Sequence, residues 1–525
     1  MSENVYAMMP YEDYVATCDA IREKTGTNSL IKSGDMAGII EGISGDDSGS
    51  NNDIATAILN KTISGAYTNS KMTSIYLYTF YDCRSLETIS FPACTNIYNS
   101  AFAYCTSLTS VSFPKCETIG SYAFEYCISL TSVDFPACAI IYNNAFENCA
   151  SLASVDFPVC TNIGSNAFYS CPSLTSVSFP KCAIIYNNAF NDCSSLTSVS
   201  FQTCTDIGNN AFERCTSLTS VSFPKCSVIA SKAFNDCFSL TSVSFPECTI
   251  IGTNAFHNCH SLISANFPVC TTIGRNAFRS CSSLISVSFP LCTSIENGAF
   301  EYCTSLATIS FPECTNINSS VFQYCSSLTS ISFPKCTIMY NNAFYDCESL
   351  TLVSFPACTY IGSNTFYGCN NLISFYLVGS SLCTLLNSNA FKYTPIAVGG
   401  LTGVNYYGSI YVPSALLSKY QSATNWTYFS NRFVGLDIDI GDVTENITFT
   451  IDGVEYQAYE NWTWDDWVNN LLHNTNNFFI FEDDYAVLNQ NGYPVCNSNG
   501  SQIYSADIII ANEEYYTDLG NGYPV

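Results

Sequence analysis

Between Phe80 and Phe366 the chain repeats one pattern of apolar and polar positions every 22 residues. Counting from each of these phenylalanines (Phe80, Phe102, Phe124 and so on), Leu stands at the sixth position (Leu108) and Val or Ile at the ninth (Val111). A second Phe stands at the eleventh (Phe113) and Ile at the seventeenth (Ile119), and Ala usually precedes the next Phe. Departures are few: Ala265 at the ninth position, Gln202 where every other regular unit has Pro at the twelfth, and Met339 at the seventeenth. A segment such as LTSVSF, 108–113, alternates apolar and hydroxyl side chains and predicts a short strand, which Pro114 ends by withholding an N–H from the ladder. Apolar residues that recur once per unit are buried only if the units stack coil on coil. The pattern therefore predicts a repeat solenoid of 22-residue parallel β coils. The Asn at position twenty (Asn144, Asn166, Asn188) is expected to serve as a turn residue or helix cap before the Ala-Phe pair.

The run L-x-x-V-x-F-x-x-C fits the leucine-rich-repeat consensus, and AFxxCxSLTSVxFP…CxxI resembles the BspA-like class of that family over about residues 55–400. The resemblance implies a leucine-rich-repeat fold and a scaffold for binding. That class is common in surface proteins of bacteria and protists. It does not specify a ligand.

Of 30 cysteines, fourteen occupy position three (Cys83, Cys105 to Cys369) and thirteen occupy position fourteen (Cys94, Cys116 to Cys358); Cys18, Cys383 and Cys496 stand outside the repeat. Zinc sites need closer pairs than this eleven-residue spacing offers. A disulfide ladder is an alternative, since like positions on adjacent coils come near enough, but sequence cannot show its geometry. The leucine-rich-repeat consensus turns position fourteen inward, where free Cys serves as a compact hydrophobe. Two files of buried, reduced thiols are the expectation. In one representative coil the structural core is then Cys105, Leu108, Val111, Phe113, Cys116, Ile119 and Phe124.

Charge narrows the function. The net charge is −26, and from Asp437 to Val525 there are sixteen acidic residues and no Lys or Arg, which disfavours a nucleic-acid partner. No apolar run is long enough to insert in a membrane. The chain carries none of the common catalytic fingerprints, and its three histidines are His257, His260 and His473. His257 falls at a freely varying repeat position and reads as exposed variation rather than as a ligand set with Cys259 and His260. DIDIGD, 437–442, misplaces the Gly of a calcium loop. No catalytic residue, cofactor or metal is expected, and the chain is read as no enzyme.

Binding is the remaining function class. Outward positions seven, eight and ten are largely Thr, Ser and Ser, a face too uniform to select one protein partner. Tyrosines mark the turn edges instead: Tyr104, Tyr126, Tyr302 and Tyr324 at position two, and Tyr98, Tyr142, Tyr186 and Tyr340 at position eighteen. Exposed aromatics beside Asn and Asp can stack on sugars or anchor a protein contact, or simply cover the turn.

The expected organisation is a helical N-terminal attachment module over 1–43, a flexible linker over 44–53, the solenoid over 54–400, a C-terminal solenoid cap over 401–436, and an acidic α+β domain, resembling a β-grasp, over 437–525. CDAIREKTGT followed by IKSGDMAGII resembles a segment recurring near the N-termini of phage tail and structural proteins, and TWDDWV (463–468) resembles small C-terminal domains of phage-like proteins. The N-terminus lacks the basic start and apolar stretch of a secretory signal. The combined expectation is a non-enzymatic phage virion component, a tail- or fibre-associated adhesion or decoration protein. It would be made in the bacterial cytoplasm and bind other virion proteins through the N-terminal module. The solenoid or C-terminal domain would meet a host-surface glycan or protein, and a homo-oligomer is compatible with this plan. The alternatives are a cell-surface bacterial adhesin of the BspA-like class and an intracellular interaction scaffold.

Overall fold

The computed structural model describes residues 63–397 and 407–436, and six short strands between Ile447 and Asn497. The segments 1–43, 44–53 and DIDIGD lie outside the described residues. Of the acidic segment, a hairpin is described: Ile447–Ile451 pairs antiparallel with Val454–Ala458. The chain divides into two compact units, up to Phe289 and from Pro290 onward.

In the first unit each regular coil contributes two strands, one of three residues in most coils, such as Ser110–Ser112, and one of two residues, such as Thr118–Ile119. Both pair in parallel with the next coil one repeat on, Val111 opposite Val133 and Ile119 opposite Ile141. The third side of the coil is built from turns. There the N–H groups at positions twenty, zero and two donate forward, Ser100 to Ser121 O at 2.9 Å, Phe102 to Ala123 O at 2.8 Å and Tyr104 to Glu125 O at 2.7 Å. Aiming those donors along the stack requires left-handed backbone at positions twenty and two, with φ of 60° at Asn144, 56° at Asn166 and 65° at Tyr104. The Asn of position twenty is thus a turn residue, which suits its tolerance of this conformation.

Two files of phenylalanine fill the core. Phe102 stacks on Phe124 at 5.1 Å between ring centroids and Phe113 on Phe135 at 5.2 Å, each pair nearly parallel. The files meet edge to face, with Phe102 and Phe113 5.9 Å apart at 62°. Such pairs contribute about 0.5–1.5 kcal/mol each beyond their burial. Leu108, Phe113, Ile119, Phe124, Cys105 and Cys116 are fully buried, and Val111 nearly so.

The thiols do more than fill space. Cys105 Sγ–H donates to Phe80 O at 3.0 Å on the preceding coil, and Cys116 Sγ–H donates to Thr118 O at 3.2 Å within its own coil. The same two bonds recur along both files, for example from Cys127 and Cys138. All 28 described ladder and cap cysteines are free thiols. Burial pushes the Cys116 thiol up to about 12, so it remains a neutral donor. A thiol fits here because it spends one weak donor on a carbonyl and is otherwise apolar.

Position eighteen alternates over these coils: Tyr98, Gly120, Tyr142, Gly164, Tyr186, Gly208. A Cβ on Gly164 would stand 2.5 Å from the backbone carbon of Tyr142. The close approach lets Asn143 Oδ1 accept the Ser165 N–H at 2.9 Å, and Asn99 accepts from Ser121 in the same way. The long-strand ladder is interrupted once in this unit, between Ser132–Asp134 and Ser154–Asp156. Asp134 and Asp156 occupy the same position on these neighbouring coils, and like charges directly opposite repel.

In the second unit the two-residue strands Asn316–Ile317, Ile338–Met339, Tyr360–Ile361 and Thr384–Leu385 form one parallel ladder. The chain then leaves the repeat: parallel strands Ser374–Tyr376, Ser409–Pro413 and Phe433–Leu436 flank a short helix, Leu417–Ser422. Tyr420, Trp426 and Phe429 are buried there, and Trp426 and Phe429 close over Phe391. The Phe stack would otherwise expose its last ring.

Phe124→Ala is expected to cost about 3–5 kcal/mol. Because coils touch only their neighbours, hydrogen exchange should accelerate first in the coils around residue 124. Uniform acceleration through residues 63–289 would contradict this stacking account. Asp156→Ser, which restores the usual residue of position ten, should stabilise by up to about 1 kcal/mol in chemical denaturation.

A tyrosine-edged groove as candidate binding site

The turn side of the coils carries the side-chain diversity, because its backbone bonds run along the stack and leave positions one, two and four free to vary. Of the tyrosines predicted from sequence, Tyr98, Tyr126, Tyr142, Tyr186, Tyr302 and Tyr340 are exposed, while Tyr104 and Tyr324 are half-buried. Two predicted pairs come together: Tyr104 stacks on Tyr126 at 5.0 Å and Tyr302 on Tyr324 at 4.6 Å. Tyr142 and Tyr186 do not meet, since the Gly164 coil separates them; Tyr98 stacks instead on Tyr76 at 5.4 Å. Sequence reasoning passed over Tyr345 and Tyr367, stacked at 4.7 Å, although both occupy position one on adjacent coils and could have been found by reading that column.

Beside the Tyr104–Tyr126 stack lies a groove of about 410 Å³ lined by Tyr126, Ile128, Asn148, Pro172, Asp192 and Ser194, among others. The columns at positions two and four form it: φ of 56° at Tyr126 and 59° at Asn148 turns the position-two side chains outward along one edge. It offers one aromatic face, an apolar floor at Ile128 and Pro172, and amide, carboxylate and hydroxyl groups. A second groove, of about 470 Å³, lies on the strand face between Ser176 and Ser222. It is lined by repeated Ser around Val177, Val199 and Val221. The neighbouring Thr197 and Thr219 hydroxyls already donate to carbonyls of the preceding coil at 3.2 and 3.0 Å. That face offers a uniform row and little to discriminate ligands.

Next to the first groove, Glu125 and Glu147 occupy position one on adjacent coils. Glu125 is half-buried, and desolvation, followed by the charge of Glu147, pushes its carboxyl up to about 7. Further along the column Glu213 accepts from Asn235 Nδ2 at 2.9 Å, and His257 Nδ1 lies 2.9 Å from Asn235 Oδ1. His257 is therefore half-buried within a side-chain ladder rather than an exposed variant, and desolvation lowers its pKa. His257, Cys259 and His260 do not converge: Cys259 is buried with its thiol on Phe234 O, and His260 stacks on Phe238. No group of three or more metal-ligating side chains occurs among the described residues. No described helix is long and apolar enough to cross a membrane.

The chain matches the BspA type leucine rich repeat region in overlapping stretches, residues 60–152, 117–240, 183–307, 227–335 and 293–398. Among solved structures it is similar to a leucine-rich repeat protein from Bacteroides ovatus, at 23% identity and a TM-score of 0.51, covering 70% of this chain and 88% of that one. It is also similar to a leucine rich cell surface protein from Faecalibacterium prausnitzii, at 27% identity and a TM-score of 0.34, covering 50% and 83% of the two chains. No curated protein matches in sequence.

The Glu125 shift has a definite sign. The folded carboxyl titrates at about 7 against an ordinary 4.5. The folded state therefore holds its proton more tightly, and the resulting stabilisation is full below about 4.5 and lost as pH rises through 7. Glu125→Gln should be more stable than the parent at pH 8, with the difference shrinking towards pH 5 in paired thermal melts. A difference that does not change with pH would remove this account.

Proposed function

The chain belongs to the BspA-type leucine-rich-repeat family, and on that premise we propose that it is a non-enzymatic adhesion or decoration protein of a phage virion, associated with the tail or its fibres. Its repeats form the scaffold, and its partner is a host-surface glycan or protein held at the turn edge. The observation that carries this reading is the groove beside the Tyr104–Tyr126 stack, where an aromatic face, Asn148 and Asp192 converge at a size suited to a small ligand. Flat aromatic surface with fixed amide and carboxylate groups suits a sugar ring, which has one apolar face and a rim of hydroxyls. The family leaves such a role open, since leucine-rich repeats serve as scaffolds for protein or ligand binding. The virion assignment rests on the N-terminal CDAIREKTGT and IKSGDMAGII segments and their likeness to phage structural proteins. A free, unlinked thiol ladder also suits assembly in a reducing cytoplasm.

Mass spectrometry of density-purified particles, cell envelope and cytosol from a producing culture tests the location. Stoichiometric peptides in the particles are expected; recovery only with envelope would replace the virion by a bacterial surface adhesin. Binding is tested separately with the purified chain on host cells and their isolated surface polysaccharide. Tyr126→Ala should weaken binding at least about tenfold without changing thermal stability much. Equal binding by parent and variant would move the site away from this groove.

A further inference from the structure

We propose that Cys358 and Cys383 are a cross-linking site, closing to a disulfide that fastens the C-terminal cap to the last regular coil once the protein meets an oxidising environment. Their sulfurs lie 3.6 Å apart. The reason lies in the break of the repeat. Along the ladder, each position-fourteen thiol donates to the carbonyl two residues on, as Cys116 does at 3.2 Å and Cys314 at 3.0 Å. After Phe366 the chain carries three additional residues before the next core Phe, Phe391. Thr384 nevertheless pairs with Tyr360, so Cys383 arrives one residue nearer its strand than a ladder cysteine would. Its nearest carbonyl of this kind, Thr384 O, stands at 3.8 Å, and its sulfur turns to Cys358 instead.

The position gives the cross-link a mechanical consequence. The Cys383 N–H donates to Tyr420 Oη at 3.0 Å, and its carbonyl accepts Trp426 Nε1–H at 2.7 Å. Tyr420 and Trp426 are the buried side chains on which the cap is built. A bond from Cys383 to Cys358 would therefore tie this cap to the coil beginning at Phe344. Closing it needs the sulfurs to approach by about 1.5 Å, within reach of side-chain rotation. Although Cys383 is itself buried, Ser380, Ser381, Leu382 and Thr384 around it are exposed, so a small local opening admits a reagent.

With oxidised glutathione the chemistry balances. One cysteine loses its proton and attacks the glutathione disulfide, forming a mixed disulfide and releasing one glutathione thiolate, which takes up a proton. The second cysteine thiolate then displaces the other glutathione. Two protein thiols are oxidised to one disulfide and one oxidised glutathione is reduced to two thiols.

The full chain, purified reduced and then held in oxidised glutathione without denaturant, tests this directly. Peptide mapping should find Cys358 linked to Cys383, the intact mass should fall by two hydrogen atoms, and the melting temperature should rise by several degrees, reversibly with dithiothreitol. The Cys383→Ala chain should neither link nor shift. Links between ladder neighbours such as Cys336 and Cys358, a persistent glutathione adduct at Cys383, or linkage only in denaturant would each overturn the assignment. None of these readouts depends on the partner proposed for the turn-edge groove.

Discussion

No coil of this chain can bury its own phenylalanines. A single 22-residue turn has two Phe rings, one Leu and one Ile facing inward and nothing behind them, so each flat ring finds a stacking partner only on the coil before and the coil after. Every other feature follows from that dependence. Most strands of the regular coils are two or three residues long because they need only hold register, not build a sheet face. The backbone N–H groups that would be stranded on the turn side are aimed along the stack by left-handed residues, so that the third side also carries a run of inter-coil bonds. The cysteines complete the arrangement by serving carbonyls the ladders leave half-used.

A core made this way imposes uniformity inside and permits variety outside. Position three cannot exchange Cys for a larger side chain without displacing a Phe carbonyl on the neighbouring coil. Positions one, two and four lie along the turn side, half-buried or exposed on most coils, and stand next to their own copies one coil away. Like residues are consequently brought into columns, and the columns read as chemistry: tyrosine on tyrosine at Tyr104 and Tyr126, carboxylate beside carboxylate at Glu125 and Glu147, amide and imidazole linked at Asn235 and His257. The same stacking that concentrates binding groups also concentrates repulsion. The strand ladder is interrupted where Asp134 and Asp156 share a position on neighbouring coils, while Glu125, desolvated and beside Glu147, holds its proton more tightly.

Irregularity is where a repeat protein acquires individual features. The three residues added after Phe366 shift Cys383 out of the ladder and bring its sulfur to that of Cys358, while the strands that follow build a cap around Tyr420 and Trp426. An insertion that would be a surface detail in a globular domain here changes which side chains meet, because the stack fixes everything on either side of it.

The period of the apolar positions by itself determined the solenoid, its 22-residue coil, the parallel register and the buried file of Cys105, Leu108, Phe113, Cys116, Ile119 and Phe124, since only stacking can bury a residue that recurs once per coil. It also singled out the tyrosines, because exceptions to a strict pattern are easy to read. Which of them meet was decided by the tertiary structure. Tyr104 and Tyr126 are one coil apart and stack; Tyr142 and Tyr186 are two apart, with glycine between. Likewise, thiols could be assigned to the core from spacing, but their donation to carbonyls could not, nor could the half-burial of His257 and Glu125. Those depend on the left-handed turns, which set the direction of each side chain and leave no mark in the apolar pattern, because Asn, Asp, Tyr, Ser and Arg all occupy the same backbone conformation at position two.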